Sequence, residues 1–175
     1  MSLNTNEILN TYENLEIETK YDHIYKIIII GDSGVGKTAL LSKYLRGVFP
    51  SSPLPTVATE FATKMIQIKE GGFIKAQIWD TAGQEKYKSI TYHHYKKSVG
   101  ALILYDITKR STFDSIQKWH TDLTVQAEIG CITALIGNKL DLVEKNDKLR
   151  EVSKEEAETY AKNNTVTCYF MKQVH

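Results

Sequence analysis

The stretch YKIIIIGDSGVGKT, residues 25–38, joins an apolar run to a glycine-rich turn and then to the start of an amphipathic segment. The run up to Gly31 is almost continuously apolar, which is typical of a strand buried on both faces of a sheet. The amphipathic segment, KTALLSKYL, places apolar side chains at helical spacing, at Leu40, Leu41, Tyr44 and Leu45. The stretch therefore predicts a strand, a turn and a helix in succession, the first unit of an α/β fold.

The turn itself, GDSGVGKT at residues 31–38, has the spacing G-x-x-x-x-G-K-[ST] of a phosphate-binding loop. Its glycines let backbone N–H groups converge on an anion, and the following helix adds its positive N-terminal end. We expect the Lys37 ammonium to reach the β- and γ-phosphates and the Thr38 hydroxyl to bind Mg²⁺. The alternative is a turn that binds nothing, but the flanking strand and helix favour a nucleotide. The candidate binding residues are Ser33, Gly34, Val35, Gly36, Lys37, Thr38 and Ala39.

Strand-like and helix-like segments alternate along the rest of the chain. Two strand-like runs flank Gly71 and Gly72, which suit the positive φ of a tight hairpin turn. We therefore expect a three-layer α/β fold with a mostly parallel six-stranded sheet and one antiparallel hairpin strand, and ligands at the carboxyl ends of the strands. Apolar runs lie at residues 99–106, 131–138 and 165–170, and helical spacing lies at 111–126 and 153–164.

The bulk composition is that of a soluble globular protein, with 42% hydrophobic and 25% charged residues among 175. A net charge of +1 gives no field that would attract nucleic acid. Cys131 and Cys168 lie in apolar runs, which favours buried thiols in a reducing compartment over a disulfide. We expect a polar N-terminal extension at residues 1–22, one domain at residues 23–175, a monomer, and a cytoplasmic location without signal peptide or membrane span.

The stretch GNKLD, residues 137–141, follows an apolar run and so lies at a strand's carboxyl end. Guanine presents two donors on one edge, and the Asp141 carboxylate can accept from both, whereas adenine would leave that carboxylate unpaired. Asn138 can hold the other edge of guanine and brace the phosphate loop, and the stem of Lys139 can cover the base. Leu142 completes this candidate set, and the alternative is a polar turn without a ligand.

The stretch WDTAGQE, residues 79–85, also follows a predicted strand. We expect Asp80 to hold the Mg²⁺ shell through a water, the Gly83 N–H to contact the γ-phosphate, and Gln84 to orient the attacking water. Taken alone, Asp80 also fits a simple strand-end turn and Gln84 a solvated loop residue.

With these motifs the chain resembles the Ras superfamily of small GTPases, and within it the Rab subfamily, over about residues 21–164. The Rab-like stretches are TEF (59–61), KAQIW (75–79), KYKSIT (86–91), HYKKSVGA (94–101) and LYDIT (104–108). FAT at residues 61–63 and IKAQIWDTAGQEKY at 74–87 are most similar to the recycling-endosome branch. The resemblance implies the P-loop NTPase (small G-protein) fold and a switch between GTP and GDP in membrane traffic. Exchange factors would load such a switch, activating proteins would discharge it, and effectors would read its GTP form.

The resemblance also assigns roles to individual residues. Thr56 would bind Mg²⁺ and the γ-phosphate, so that Gln84, Lys37 and Thr56 form the catalytic set. Phe49 would pack against the guanine, although without the family it is equally a core aromatic. Effectors would contact Phe61, Trp79 and Tyr87, of which Phe61 and Trp79 also fit strand residues packed on the core.

The chain departs from the family pattern at several positions. Ala58 and Lys97 stand where the family usually has glycine, Lys97 as an expected surface change. YFMK, residues 169–172, aligns with the loop that covers the guanine in the family, so no base contact is carried over to it. We expect the final helix of the family and the prenylated tail that would anchor it to membranes to be absent from this sequence. All prolines of the chain, Pro50, Pro53 and Pro55, lie in the six-residue window before Thr56 and predict an extended loop.

Three functions are compatible with these motifs. The first is a slowly hydrolysing GTPase switch, for which Arg46 and Arg110 are expected to be solvated charges rather than an internal arginine finger. The second is a platform that binds guanine nucleotide but hydrolyses it negligibly, motivated by the YFMK loop, Ala58 and the prolines. The third, a P-loop kinase, would prefer ATP and need an arginine-rich lid, and GNKLD argues against it.

Overall fold

The computed structural model describes residues 21–49, 60–69, 71–81 and 94–171. Its strands are β1 His23–Ile30, β2 Glu60–Gln67, β3 Phe73–Asp80, β4 Gly100–Asp106, β5 Ile132–Asn138 and β6 Thr167–Phe170. They form one six-stranded sheet in the order β2-β3-β1-β4-β5-β6. β2 and β3 pair antiparallel, and each other neighbouring pair is parallel. The predicted mostly parallel sheet with one antiparallel hairpin strand is therefore confirmed.

The helices follow the strands in the expected alternation. They are α1 Lys37–Arg46, α2 Arg110–Asp114, α3 Ile116–Gln126, α4 Leu140–Lys145 and α5 Lys154–Asn163, with a 3-10 turn at Asp147–Leu149. The helical segment predicted at 111–126 is thus divided at Ser115, whose hydroxyl donates to the Ser111 carbonyl. The hydroxyl of Ser153 caps α5 by accepting from the Glu156 N–H at 3.1 Å, as its spacing predicts.

Both faces of the sheet are covered by apolar packing, which makes three layers. On one face Ile28, Ile103 and Tyr105 pack in one cluster with side chains of α2, α3 and α5. On the other face Ile29 and Leu104 pack in a cluster with Leu41 of α1. Burial on both faces explains why the central strands are written as unbroken apolar runs. The helical residues of the first cluster are Phe113, Ile116, Trp119, Leu123, Ala157 and Ala161.

Some sequence-based expectations for single residues were wrong. Tyr44 was assigned to the apolar face of α1, but it is exposed, and the Lys64 ammonium lies over its ring. Lys97 is exposed, so the expected surface change is confirmed, but its φ of 63° also lies in the left-handed region that glycine adopts without strain. Cys131 and Cys168 are free and only half-buried, and burial raises the pKa of both thiols.

The boundary predicted between the N-terminal extension and the domain stays a prediction, since residues 1–20 and 172–175 lie outside the described residues. Of the helices that the structure does describe, none has both the length and the apolar character that a membrane span requires.

Candidate guanine-nucleotide site

The predicted ligand loops meet at one edge of the sheet. Four neighbouring strands, in the order β3-β1-β4-β5, pair in parallel. Their carboxyl ends therefore lie at the same edge of the sheet. The phosphate loop follows β1, Asp80 ends β3, Asp106 ends β4 and Asn138 ends β5. Parallel topology therefore brings together residues that lie far apart in the sequence.

The phosphate loop has backbone geometry that requires glycine. Gly31 has a φ of 136°, and a Cβ there would collide with the carbonyl oxygen of Leu104 on β4. Gly36 is the N-cap of α1 with a φ of 97°, and no side chain caps this helix end. The N–H groups of the first turn thus point out of a ten-residue helix whose dipole favours an anion.

Lys37 is held by the loop that it closes. Its side chain is 5% exposed, and its Nζ donates to the carbonyl oxygens of Gly31 at 2.8 Å and Asp32 at 2.9 Å. These two hydrogen bonds hold the ammonium close to the glycine-rich backbone. A phosphate bound there would receive hydrogen bonds from the Lys37 ammonium and from backbone N–H groups.

Thr38 and Asp80, the predicted metal ligands from distant motifs, are in direct contact. The Thr38 hydroxyl donates to Asp80 Oδ2 at 2.5 Å, and the Asp80 side chain is fully buried. The next residue, Thr81, donates its hydroxyl to the Ile29 carbonyl at 2.8 Å and so ties the end of β3 to β1. A hydroxyl and a carboxylate are oxygen ligands of the kind that Mg²⁺ prefers, so this donor pair fits the metal.

The guanine loop is attached to the phosphate loop. Asn138 is 2% exposed, and its Nδ2 donates to the Val35 carbonyl at 2.8 Å. This is the brace expected from the sequence. Lys139 has a φ of 68°, and its ammonium pairs with Asp106 Oδ2 at 2.7 Å.

Asp106 is a residue that sequence reasoning missed. Its Oδ1 accepts from the Thr108 N–H at 2.9 Å and from the Thr108 hydroxyl at 2.7 Å, while Oδ2 holds Lys139. The signal was present, because Asp106 ends an apolar run within LYDIT in the same way that Asp80 and Asn138 end theirs.

The end of β6 contacts the guanine loop through its backbone. The Met171 N–H donates to the Gly137 carbonyl at 2.8 Å, and the Leu140 N–H donates to the Met171 carbonyl at 3.1 Å. The part of YFMK that the structure describes, residues 169–171, therefore leads directly to this loop. Asp141 and Leu142 lie in the first turn of α4 and are both half-buried.

The structure describes some of the remaining predicted site residues, and the others lie outside the described residues. Phe49 is half-buried after the end of α1, with the Lys43 ammonium 5.1 Å from its ring centroid. Ser33 and Gly34 are exposed at the tip of the phosphate loop, and Ala39 is half-buried in the first turn of α1. Thr56, Gly83, Gln84 and Tyr87, with Ala58 and the three prolines, lie outside the described residues.

Two of the predicted effector residues have rings in contact with each other. The ring centroids of Phe61 and Trp79 are 5.0 Å apart with an interplanar angle of 56°, and the ring centroid of His94 lies 5.9 Å from that of Trp79. Phe61 is 51% exposed, so it is not simply a core residue. The Lys26 ammonium lies 4.9 Å from the Trp79 ring centroid.

Sequence comparisons show which family the chain with this loop arrangement belongs to. The sequence profile of the Ras family matches residues 26–173. The chain belongs to the Ras family. Within that family its relatives are Rab proteins, which confirms the resemblance to the Rab subfamily and to a Rab11-like branch.

Three relatives illustrate the match of this Ras-family chain. It is 47% identical over 145 residues to Ras-related protein RABA2d of Arabidopsis thaliana, covering 83% of this chain and 64% of that protein. It is 46% identical over 150 residues both to Ras-related protein Rab-11A of Dictyostelium discoideum and to GTP-binding protein ypt3 of Schizosaccharomyces pombe. Each of those two matches covers 86% of this chain and 68% of the relative. The chain thus spans about two thirds of the length of the curated relatives that it matches.

Proposed function

We propose that this chain is a small GTPase that binds GTP or GDP with Mg²⁺ and acts as a switch in intracellular membrane traffic. The observation that carries the proposal is the hydrogen bond from Asn138 to the Val35 carbonyl at 2.8 Å. It couples a base-reading loop to a phosphate loop, so a ligand that engages both stabilises one connected unit. Membership of the Ras family and the similarity to Rab proteins support the same proposal.

The residues of the site have distinct tasks in this proposal. Lys37 and the N–H groups of the loop bind the phosphates, while Asp141 and Asn138 select guanine through its edge groups. Lys139 covers the base, and Phe49 packs beside it. Thr38 and Asp80 hold the metal, which when bound supplies positive charge where the β- and γ-phosphates carry negative charge.

Hydrolysis needs residues that orient the attacking water and the switch loop. We assign these tasks to Gln84, to Thr56 and to the Gly83 N–H, on the resemblance to the family. Intrinsic turnover in this class is slow, on the order of 10⁻⁴ per second, and an arginine supplied in trans adds roughly 10³- to 10⁵-fold. Arg110 is not suited to be an internal finger, because it pairs with Asp114 at 2.9 Å and with Glu156 at 2.7 Å.

The partners in this proposal are those of Rab-type switches in general. An exchange factor would load the nucleotide, an activating protein would supply the arginine, and effectors would read the switch loops with Phe61, Trp79 and Tyr87. The exposed Phe61, in a tilted ring contact with Trp79, supports an aromatic binding anchor. If a full-length form carries a prenylated tail, the protein would cycle between cytoplasm and endomembranes, and we propose that it acts as a monomer.

The test is the nucleotide that purifies with the protein, identified by chromatography after denaturation. We expect guanine nucleotide at near one per chain, displaced by GTP but not by ATP. Single-turnover hydrolysis of GTP by the wild type and by Gln84→Leu then separates a hydrolysing switch from a platform without turnover. Equal rates in the two proteins would remove Gln84 from the mechanism, and retention of ATP over GTP would overturn the guanine assignment.

A further inference from the structure

We infer that Trp119, on a helix outside the nucleotide loops, is a positioning residue that holds the Asp32 carboxylate away from the phosphate site. The indole Nε1–H of Trp119 donates to Asp32 Oδ1 at 2.7 Å across 87 positions of sequence. Asp32 is the second residue of the phosphate loop, and Trp119 is the fourth residue of α3. The inference rests on the proposed function, because it concerns how that same site retains its nucleotide.

Asp32 is an unfavourable charge for a loop that binds polyphosphate. Asp32 directly follows Gly31, and its own backbone carbonyl accepts a hydrogen bond from the Lys37 ammonium at 2.9 Å. If the side chain turned towards the site, it would repel the phosphates and compete with them for the Lys37 ammonium. A donor on α3 reduces both problems, since the carboxylate then has a partner other than the Lys37 ammonium. Trp119 belongs to one apolar cluster and Val35 of the phosphate loop to the other.

Trp119 is built to provide that donor. Its side chain is 7% exposed and belongs to the cluster that packs α2, α3 and α5 on the sheet, so the indole has a fixed position. An indole N–H is a donor only, and one that binds a carboxylate in a half-buried setting is stronger than a neutral hydrogen bond. Packing of α3 therefore fixes the side chain of Asp32, and through it the carbonyl that anchors Lys37.

The decisive experiment measures release of a fluorescent GDP analogue from wild type, Trp119→Phe, and Trp119→Phe combined with Asp32→Ala. Phe keeps the aromatic ring in the core but has no N–H. We expect Trp119→Phe to release GDP about tenfold faster, because the freed carboxylate can approach the phosphates. Removing that carboxylate in the double variant should restore release to within about twofold of the wild type.

Rescue distinguishes this role from a merely structural one. If Trp119 mattered only for packing, Asp32→Ala would not restore retention, and the inference would be overturned. It would also be overturned if Trp119→Phe released GDP at the wild-type rate. Leu123→Val is the matched control, because it removes one methylene from the same helix and core without a bond to the loop. It should lower the free energy of unfolding and leave GDP release unchanged.

A second measurement covers the case in which Trp119→Phe does not fold. The chain has two tryptophans, so a ¹⁵N-labelled sample shows two indole signals. In Asp32→Ala we expect one of them to shift strongly and its hydrogen exchange to accelerate. Two unmoved signals would show that the hydrogen bond is absent and would overturn the inference. If the wild type binds GDP and these variants show no effect, the inference is refuted but the proposed function is not. If the wild type binds no guanine nucleotide, the proposed function is refuted as well.

Discussion

The side-chain amide of Asn138 donates to the backbone carbonyl of Val35 at 2.8 Å, although the two residues are 103 positions apart. Both are buried, and they belong to the two loops that would bind opposite ends of one nucleotide. A buried carbonyl that loses its donor costs about 1–3 kcal/mol, so the two loops stabilise each other through this contact.

Replacing Asn138 by Ala should therefore loosen both loops at once. We expect GDP release to accelerate at least about tenfold and the free energy of unfolding to fall by about 1–3 kcal/mol, measured by analogue release and urea titration. Asn164→Ala is the control, because the Asn164 amide donates to the Tyr160 carbonyl at 2.9 Å, away from the site. Release from Asn138→Ala no faster than from the control would contradict the coupling.

The ion pair between Lys139 and Asp106 gives a second prediction. Asp106→Asn keeps the shape of the side chain and an oxygen for Thr108, but it removes the charge that holds the ammonium. We expect GDP release to become about three- to tenfold faster, because hydrogen bonds between charged groups are stronger than neutral ones. Asp114→Asn is the control, since its partner Arg110 is exposed and such pairs contribute little. Similar release from both variants would remove Asp106 from the site.

Lys97 offers a test of backbone strain. Its φ of 63° costs a residue with a Cβ about 1–2 kcal/mol through steric repulsion, which glycine avoids. Glycine, however, loses more conformational entropy on folding. We expect Lys97→Gly to raise the free energy of unfolding by about 0.5–1 kcal/mol in urea. The neighbouring Lys96 is also exposed but does not have a positive φ, so Lys96→Gly should lower the free energy of unfolding instead. A loss of stability in both variants would refute the strain.

Tyr105 predicts how stability depends on alkaline pH. It is fully buried, and its hydroxyl has no hydrogen-bond partner among the described residues. Burial raises the pKa of Tyr105 above its ordinary value, with the nearby Cys168 acting in the same direction. The folded state thus keeps the phenol proton that the unfolded state releases near about pH 10. Stability is complete below that pH and falls above it, by about 1.4 kcal/mol per pH unit for each such tyrosine.

Tyr105→Phe should accordingly reduce this alkaline slope by about 1.4 kcal/mol per pH unit, measured by urea titration between about pH 9.5 and 11.5. At neutral pH the variant should be at least as stable as the wild type, because it removes a buried hydroxyl without a partner. Tyr25→Phe is the control, since Tyr25 is exposed. An unchanged slope in Tyr105→Phe would show that the phenol ionises equally in both states.

Much of this site was predictable because its motifs are local. Gly31, Lys37 and Thr38 lie within one turn whose residue spacing is itself the geometry of the loop. Asp80 and Asn138 were found because an apolar run shows where a buried strand stops, and parallel strands present those ends together. Asp106 obeys the same rule, since it ends the apolar run of β4.

Other features could not be derived from sequence because they depend on how distant segments pack. The exposure of Phe61 follows from its place on the edge strand β2, and the left-handed backbone of Lys97 from the turn before β4. Neither alternation nor spacing encodes these properties, since both side chains fit several local conformations.

The sequence by itself determined the order of strands and helices, the phosphate loop and the positions where strands end, because those depend on local spacing and on burial of apolar runs. Only the tertiary structure decided which side chains meet: Asn138 with Val35, Lys139 with Asp106, and Trp119 with Asp32. The reason is physical. A hydrogen bond of about 3 Å depends on the order and register of the sheet and on the packing of α3, and no segment of the chain specifies these alone.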